Sequence, residues 1–351
     1  MHGGRAAGAE TTAFRARVLG ACALLVLSAA IRPAHGAPPR TGSDLPIDRG
    51  PWGSGLDPSG VAIGDLDRDG NADIVVAYHA TGKVNVCLGD GNGAFEGIAE
   101  IEAEIGIREV AIGFLGEGRR PFLAVLSPKT ESLLLFVREE EGAFARLSPP
   151  APTGKGPASI AIGYRDEGET EPFVAVVNET SHDLTVCDLS PAGVPAVRTV
   201  DLKLGGQPEP TPVSVASGDF DIDGRADDLA IVNRKYETVT ILLRNDDGGF
   251  ERKYKDFRVR SNPSDIAACA VGDAREPLLA VANRMAREAT LYARREGSAL
   301  GFRELGEARS AGGLVSVSLT EVGTMGTALL AVAGRVRGEV TVFLVEPGGG
   351  T

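Results

Sequence analysis

Apolar residues recur along this chain in short runs, three runs to a group, and the groups return about every fifty residues, an interval typical of repeat architectures. The first runs begin near Val61, Val110, Ile160, Val213, Ile266 and Val315. The second are Asp73–Ala77, Phe122–Leu126, Phe173–Val177, Leu229–Val232, Leu278–Ala282 and Leu329–Ala333. The third are Val84–Leu88, Leu133–Val137, Leu184–Cys187, Val239–Leu243, Thr290–Tyr292 and Val340–Val345. Short β-branched runs bounded by turn residues predict strands, and no long stretch after the N-terminus carries a helical period.

Several groups then close on a glycine-rich turn ending in Phe. Gly91-Asn92-Gly93-Ala94-Phe95, Glu141-Gly142-Ala143-Phe144 and Asp247-Gly248-Gly249-Phe250 are the clear cases, and Gly301-Phe302 is looser. Glycine supplies the positive φ of tight hairpins. The Phe is expected to open a fourth strand and to fill the gap between neighbouring sheets. Four antiparallel strands, repeated six times, predict an all-β, six-bladed β-propeller. The last group stops at Val345, after its third strand, so Leu45–Leu56 is expected to supply the missing strand and close the ring. The alternative is an open solenoid, which leaves unprotected sheet edges.

Two first-to-second turns nearly repeat each other, 154 residues apart: Gly64-Asp65-Leu66-Asp67-Arg68-Asp69-Gly70-Asn71-Ala72-Asp73 and Gly218-Asp219-Phe220-Asp221-Ile222-Asp223-Gly224-Arg225-Ala226-Asp227. Each places carboxylates at positions 1, 3, 5 and 9 with Gly at 6. Like charges this close repel, and a hard cation such as Ca²⁺, which takes 6–8 oxygen ligands, resolves the conflict. The opening fits an EF-hand, but position 12 is Val76 or Ala230 instead of Glu, and strands replace the flanking helices. A solvated acidic turn without metal is the alternative.

Together these features resemble the FG-GAP/VCBS repeat family, the blade type of integrin α-chain propellers and of many secreted microbial proteins. The resemblance covers residues 45–346 and is specific in units one and four. It implies Ca²⁺ at about two sites. The implied ligands are Asp65, Asp67, Asp69, Asn71 (through its carbonyl) and Asp73, then Asp219, Asp221, Asp223, Arg225 (carbonyl) and Asp227. Asp228 follows directly and blurs the second register. The corresponding turns of the other units are degenerate, reading Gly113-Phe114-Leu115-Gly116-Glu117-Gly118, Gly163-Tyr164-Arg165-Asp166-Glu167-Gly168 and a bare Gly272-Asp273, so no metal is carried to them.

Composition narrows the function classes. Arg15 and Arg17 precede an apolar run, Val18–Ala30, and Ala34-His35-Gly36 offers small residues for cleavage. Residues 1–36 are therefore expected to be a secretory signal, 37–44 a linker and 347–351 a flexible tail, with the protein secreted or extracytoplasmic. The apolar run follows Cys22 instead of preceding it, which disfavours a lipoprotein signal. The formal charge is −12, and loss of residues 1–36 removes four Arg and one Glu, leaving −15. That argues against nucleic acid and anionic membranes as partners, and no membrane insertion is expected. Cys87, Cys187 and Cys269 read as buried thiols, with one disulfide pair as the alternative.

The second-to-third turns should share the face opposite the acidic loops. They carry Lys83, Arg234, Lys235, Tyr236, Arg284, Arg287, Arg335 and Arg337 against Glu131, Glu179, Asp183, Glu237, Glu288 and Glu339, a slightly basic rim on an acidic protein, expected to take an acidic or polar partner such as a glycan or a protein loop. A merely solvated rim is the alternative. No catalytic motif appears and no catalytic residue is assigned. A propeller-fold polysaccharide lyase or hydrolase is the enzymatic alternative, requiring Tyr, Arg and carboxylate groups to converge on the axis. Asn178-Glu179-Thr180 is a glycosylation sequon in a turn, and Trp52 is expected to pack in the closing strand.

Overall fold

The computed structural model describes residues 57–345, apart from 93, 141, 167, 191–194, 204–208, 254, 296–300, 310–313, 323–326 and 335–338, and the backbone of 14–17. It is a six-bladed β-propeller of mostly four-stranded antiparallel blades. Strand β1 is Phe14–Arg17. Blade one is β2 (Pro58–Gly64), β3 (Asp73–Tyr78), β4 (Lys83–Gly89) and β5 (Phe95–Glu102). Blade two is β6 (Glu109–Leu115), β7 (Arg120–Ser127) and β8 (Ser132–Arg138), with β9 (Phe144–Arg146) and β10 (Ala151–Pro152) sharing its outer edge. Blade three is β11 (Pro157–Tyr164), β12 (Pro172–Asn178), β13 (Asp183–Asp188) and β14 (Ala196–Asp201). Blade four is β15 (Pro212–Gly218), β16 (Asp228–Asn233) and β17 (Thr238–Arg244), edged by β18 (Phe250–Glu251) and β19 (Phe257–Arg258). Blade five is β20 (Pro263–Val271), β21 (Glu276–Asn283), β22 (Glu288–Arg294) and β23 (Phe302–Arg309). Blade six is β24 (Leu314–Val322), β25 (Thr327–Gly334) and β26 (Glu339–Val345), with β1 on its outer edge.

The first strands of successive blades touch, from β2 through β6, β11, β15 and β20 to β24, so they surround the axis. The second strands are buried on both faces. Leu123, Val174, Leu229 and Leu279 are all fully covered, which is why these strands read as unbroken apolar runs rather than alternating ones. The core lies between blades. Val75 and Val86 of blade one, for example, pack with Val110, Leu123 and Leu134 of blade two.

The outer-strand Phe residues behave as expected. Phe95, Phe144, Phe250 and Phe302 each begin an outer strand. Phe250 meets Phe173 of the preceding blade edge-on at 6.1 Å, and Phe302 meets Phe220 at 6.0 Å. Offset aromatic pairs of this kind add to simple area burial.

The outer edge of β26 pairs with an N-terminal strand, Phe14–Arg17, in register Phe14↔Val342 to Arg17↔Glu339. Residues 45–56, expected to supply the closing strand, lie outside the described residues together with Trp52. An exposed strand edge is satisfied by any segment that offers a ladder of backbone N–H and C=O groups, and the four residues Phe-Arg-Ala-Arg suffice. They fall inside the segment read as a signal, so cleavage after Gly36 would remove this strand from the edge of β26. Arg335 and Arg337 also lie outside the described residues. Among the described residues no helix is long and apolar enough to cross a membrane. Cys87, Cys187 and Cys269 are free thiols.

Candidate metal loops and the two faces

The turn from β2 to β3 folds around its own carboxylates. Asp65 accepts from the Arg68 N–H at 2.7 Å and the Gly70 N–H at 3.0 Å. Asp67 accepts from the Asp69 N–H at 3.2 Å, and Asp69 from the Asn71 N–H at 2.7 Å. Gly70 adopts φ 86°, the left-handed conformation that an L side chain resists. The Asn71 side-chain amide donates to Asp69 at 2.7 Å. Carboxylate oxygens of Asp65, Asp67 and Asp73 lie within 4.8 Å of one another.

Asp73 is fully buried and has a second task. It accepts from the Leu66 N–H at 2.6 Å and from the Gly89 N–H at 2.9 Å. The carboxylate thus ties the acidic loop to the end of the third strand. Burial pushes its pKa up, the two N–H donors oppose this, and the neighbouring Asp67 and Asp65 charges add to it. A buried carboxylate held above its ordinary value in a ring of like charge is the setting that a divalent cation relieves.

The turn from β15 to β16 has the same plan with one residue more. Asp219 accepts from the Asp223 and Gly224 N–H groups, both at 3.0 Å, and Gly224 sits at φ 93°. The residue that matches Asp73 is Asp228, not Asp227. Asp228 pairs with Gly218 as Asp73 pairs with Gly64. It accepts from the N–H groups of Phe220 (2.8 Å), Asp221 (3.2 Å) and Arg244 (2.9 Å). Asp227 is an inserted residue, because only the backbone pairing decides which of two adjacent Asp residues heads the strand. Burial raises the pKa of Asp227 to about 6 and that of Asp228 to about 7. The close carboxylates here are Asp219, Asp221 and Asp223. Arg225 covers the loop with its side chain. Its guanidinium bonds Asp223 through Nε at 2.7 Å and again through Nη2, reaches Asp246 at 3.2 Å, and lies 3.9 Å from Asp227.

Arginines at the ends of third strands brace these loops from the next blade, and sequence reading missed them. Arg138 donates to the Leu66 carbonyl of the blade-one loop, and Arg294 to the Asp221 carbonyl of the blade-four loop at 3.5 Å. The blade-four counterpart, Arg244, faces blade three, whose first turn lacks the acidic set. It pairs instead with Asp188 at 2.7 Å and lies 4.4 Å from the Phe173 ring centroid. The recurrence of Arg after the third apolar run was the available signal.

The opposite face is more neutral than its sequence suggested. Lys83 pairs with Glu100 and Glu102, Arg234 with Glu179 at 3.0 Å, and Lys235 with Glu209 at 2.7 Å while lying 5.8 Å from the Tyr236 ring. Arg284 and Arg287 make no ion pair among the described residues. Asn178 is buried and donates to Thr185 Oγ1 at 3.0 Å and to Asp183 at 2.7 Å. Asn233 and Asn283 hold the same place and bond Thr240 and Thr290, each at 2.9 Å. These asparagines are internal braces of the second-to-third turns, so the sequon does not present its amide.

At the axis, six equivalent positions of the first strands hold Gly60, Glu109, Ser159, Ser214, Asp265 and Ser316. Asp265 accepts from the hydroxyls of Ser214 (2.8 Å) and Ser316 (2.6 Å) and from the Val317 N–H (3.0 Å). Glu109 accepts from the Ile160 N–H (3.3 Å) and from the Ser159 hydroxyl (3.4 Å). Burial and the facing Asp265 charge push Glu109 up to about 8. Serine hydroxyls and backbone amides, not Tyr or Arg, are their hydrogen-bond partners. A cleft of about 250 Å³ opens beside the blade-four loop, lined by Asp166, Glu169, Asp219, Gly224, Ala226 and Arg275.

No family model matches the chain, and no curated protein matches it in sequence. Solved structures do. The periplasmic gluconolactonase PpgL of Pseudomonas aeruginosa is similar at 14% identity and a TM-score of 0.61, covering 84% of this chain and 83% of that one. Hydrazine synthase of Kuenenia stuttgartiensis is similar at 14% identity and a TM-score of 0.56, over 81% and 82%. A protein of unknown function from Desulfotomaculum acetoxidans gives 11% identity and 0.57, over 79% and 82%. At such identities the likeness is one of fold alone.

Proposed function

We propose that the chain is an extracytoplasmic, calcium-binding propeller of the FG-GAP/VCBS kind that serves as a protein- or glycan-interaction module. The observation that carries the metal reading is the donor set: two first-to-second turns, each with three carboxylates whose oxygens lie within 4.8 Å of one another. Hard, flexible oxygen ligands of this kind suit Ca²⁺ better than zinc or copper. Asp65, Asp67, Asp69 and Asp73 would hold one ion with the Asn71 carbonyl. Asp219, Asp221 and Asp223 would hold the other with the Arg225 carbonyl. Their role is structural, because the loops tie together hairpins and offer no neighbouring base. Blades one and four stand opposite each other in a ring of six, so the ions would pin separate places.

The interaction reading rests on Arg284, Arg287 and Tyr236 on the opposite face, where Lys83, Arg234 and Lys235 already have acidic partners. Localisation outside the cytoplasm rests on the leader, and a similar fold is known in a periplasmic protein. The test is thermal melting in Ca²⁺ and in EDTA, joined to a glycan and surface-protein binding screen. Calcium should raise Tm through preferential binding to the folded loops. Arg284→Glu with Arg287→Glu should abolish the bound signal. A melt indifferent to both additives refutes the metal reading, and binding unchanged by the charge reversals refutes the face. N-terminal sequencing of exported protein tests the leader. A lyase or hydrolase activity lost in Glu109→Gln or Asp265→Asn would replace the module reading with the enzymatic one.

A further inference from the structure

The two acidic loops are alike in sequence but not in construction. This inference rests on the calcium reading above and asks how the two sites differ. In blade one the buried Asp73 does two jobs at once, clamping Leu66 and Gly89 N–H groups and joining Asp65 and Asp67 in the carboxylate triad. In blade four the extra residue separates those jobs. Asp228 keeps the clamp, with three N–H donors, and stands outside the triad. Its place is taken by Asp223, which is exposed.

That replacement is itself occupied. Asp223 already receives two N–H groups of the Arg225 guanidinium, which also reaches Asp246. The equivalent residue of blade one, Asn71, is neutral, so its contact to Asp69 brings no competing cation to that loop. An ion entering blade four must displace a charge-assisted contact or share its carboxylate with a cation, whereas blade one offers a preformed buried ligand. Preorganised ligands bind more tightly because less ordering remains to be done on binding.

We infer that blade one carries a tight calcium site and blade four a weak, exchangeable one, the difference being set by the inserted Asp227 and by Arg225. Calcium should therefore bind in two separate steps. Asp219, a ligand of the weak site, also lines the 250 Å³ cleft, so this loop is reached by solvent from the side of blades three and five.

The experiment is isothermal titration of the full chain with CaCl₂ after chelator treatment, with Tm followed in parallel. Wild type should show two phases at least tenfold apart in Kd. Asp67→Asn should remove the tight phase and leave the weak one; Asp221→Asn should do the reverse. Deletion of Asp227 combined with Arg225→Asn, which restores the blade-one spacing and chemistry, should bring the two phases within about threefold. Arg225→Asn alone, a surface change that leaves the clamp intact, should tighten the weak phase severalfold. Two equal sites in wild type overturn the inference while leaving the calcium reading in place. So does loss of the weak phase in Asp67→Asn, or a weak phase indifferent to Arg225→Asn. No heat and no Tm shift in any variant overturns the calcium reading, and the ordering with it.

Discussion

Replacing Asp228 should damage the fold far more than replacing its neighbour Asp227, although both are aspartates in the same acidic loop. Asp228 is the acceptor for three backbone N–H groups, two of them on buried residues, Phe220 and Arg244. Asp228→Ala leaves those donors without a partner, each costing about 1–3 kcal/mol. Part of that is offset, because the carboxylate is itself held in an unfavourable place, with its pKa pushed to about 7 by burial. We take the net loss as about 2–4 kcal/mol, which at about 2–4 °C per kcal/mol for a chain of this size lowers Tm by about 5–15 °C. Asp227 is also buried, but its ion-pair contact is an Arg225 nitrogen at 3.9 Å and burial raises its pKa to about 6, so the charge gains little from its place and Asp227→Ala should change stability by under about 1 kcal/mol. The assay is urea and thermal unfolding of both variants in EDTA, so that no metal enters the comparison. Asp73→Ala in blade one should behave like Asp228→Ala, since it loses the Leu66 and Gly89 donors. A loss in Asp227→Ala equal to or larger than that in Asp228→Ala would refute the register and the clamp together.

Three further outcomes are expected. Glu109 keeps its proton up to about 8 in the folded chain, whereas the unfolded chain loses it near 4.5, so stability falls as pH rises from about 4.5 to 8 and the loss is complete above that. Glu109→Gln should remove that slope, on the order of 4 kcal/mol between pH 5 and 9, from urea midpoints taken at pH 5, 7 and 9; an unchanged slope counts against it. Phe302→Ala empties a site 5% exposed between Phe220 and Phe257 and should cost about 3–5 kcal/mol in urea unfolding, a loss under 1 kcal/mol contradicting the packing. Expression in a host that glycosylates secreted proteins should give no glycan on Asn178, and a mass shift abolished by Thr180→Ala would contradict its burial.

The blades were legible because their second strands are buried on both faces. Runs such as Phe122–Leu126 and Phe173–Val177 stay apolar at every position, and a fifty-residue spacing between such runs leaves few architectures open. The acidic loops were legible for a similar reason, since carboxylates so close together are rarely left unresolved. Three things were not. The second loop's register turned on which of Asp227 and Asp228 pairs with Gly218, a backbone fact that two identical side chains conceal. The pairing of Phe14–Arg17 with β26 went unread because those four residues precede an apolar run that dominates any reading. On the second-to-third face Glu179 was legible as an acidic neighbour of the basic residues, but its pairing with Arg234, 55 residues away, and that of Lys235 with Glu209, 26 away, were not, since charge pattern carries no signal over such distances.

The acidic turns are more than holders for an ion, because of where the fold puts them. Each lies against the end of its own third strand through Asp73 or Asp228, and against the following blade through Arg138 or Arg294. Those two arginines reach backbone carbonyls of the loops, whose positions depend on the loops keeping their wrapped shape. A loop of like charges opens more readily when nothing compensates it, and opening it withdraws the acceptor from the arginine of the next blade. Order in the loop and contact between blades are thus one equilibrium at the first-to-second and fourth-to-fifth junctions. Blade three lacks the acidic turn, and there the corresponding Arg244 is satisfied by a side chain, Asp188, that needs no ion to hold it in place. The same arginine position therefore has two solutions in one ring, one fixed by packing and one conditional on the loop. That division shows how the blade-three turn meets Arg244 without the acidic set of blades one and four.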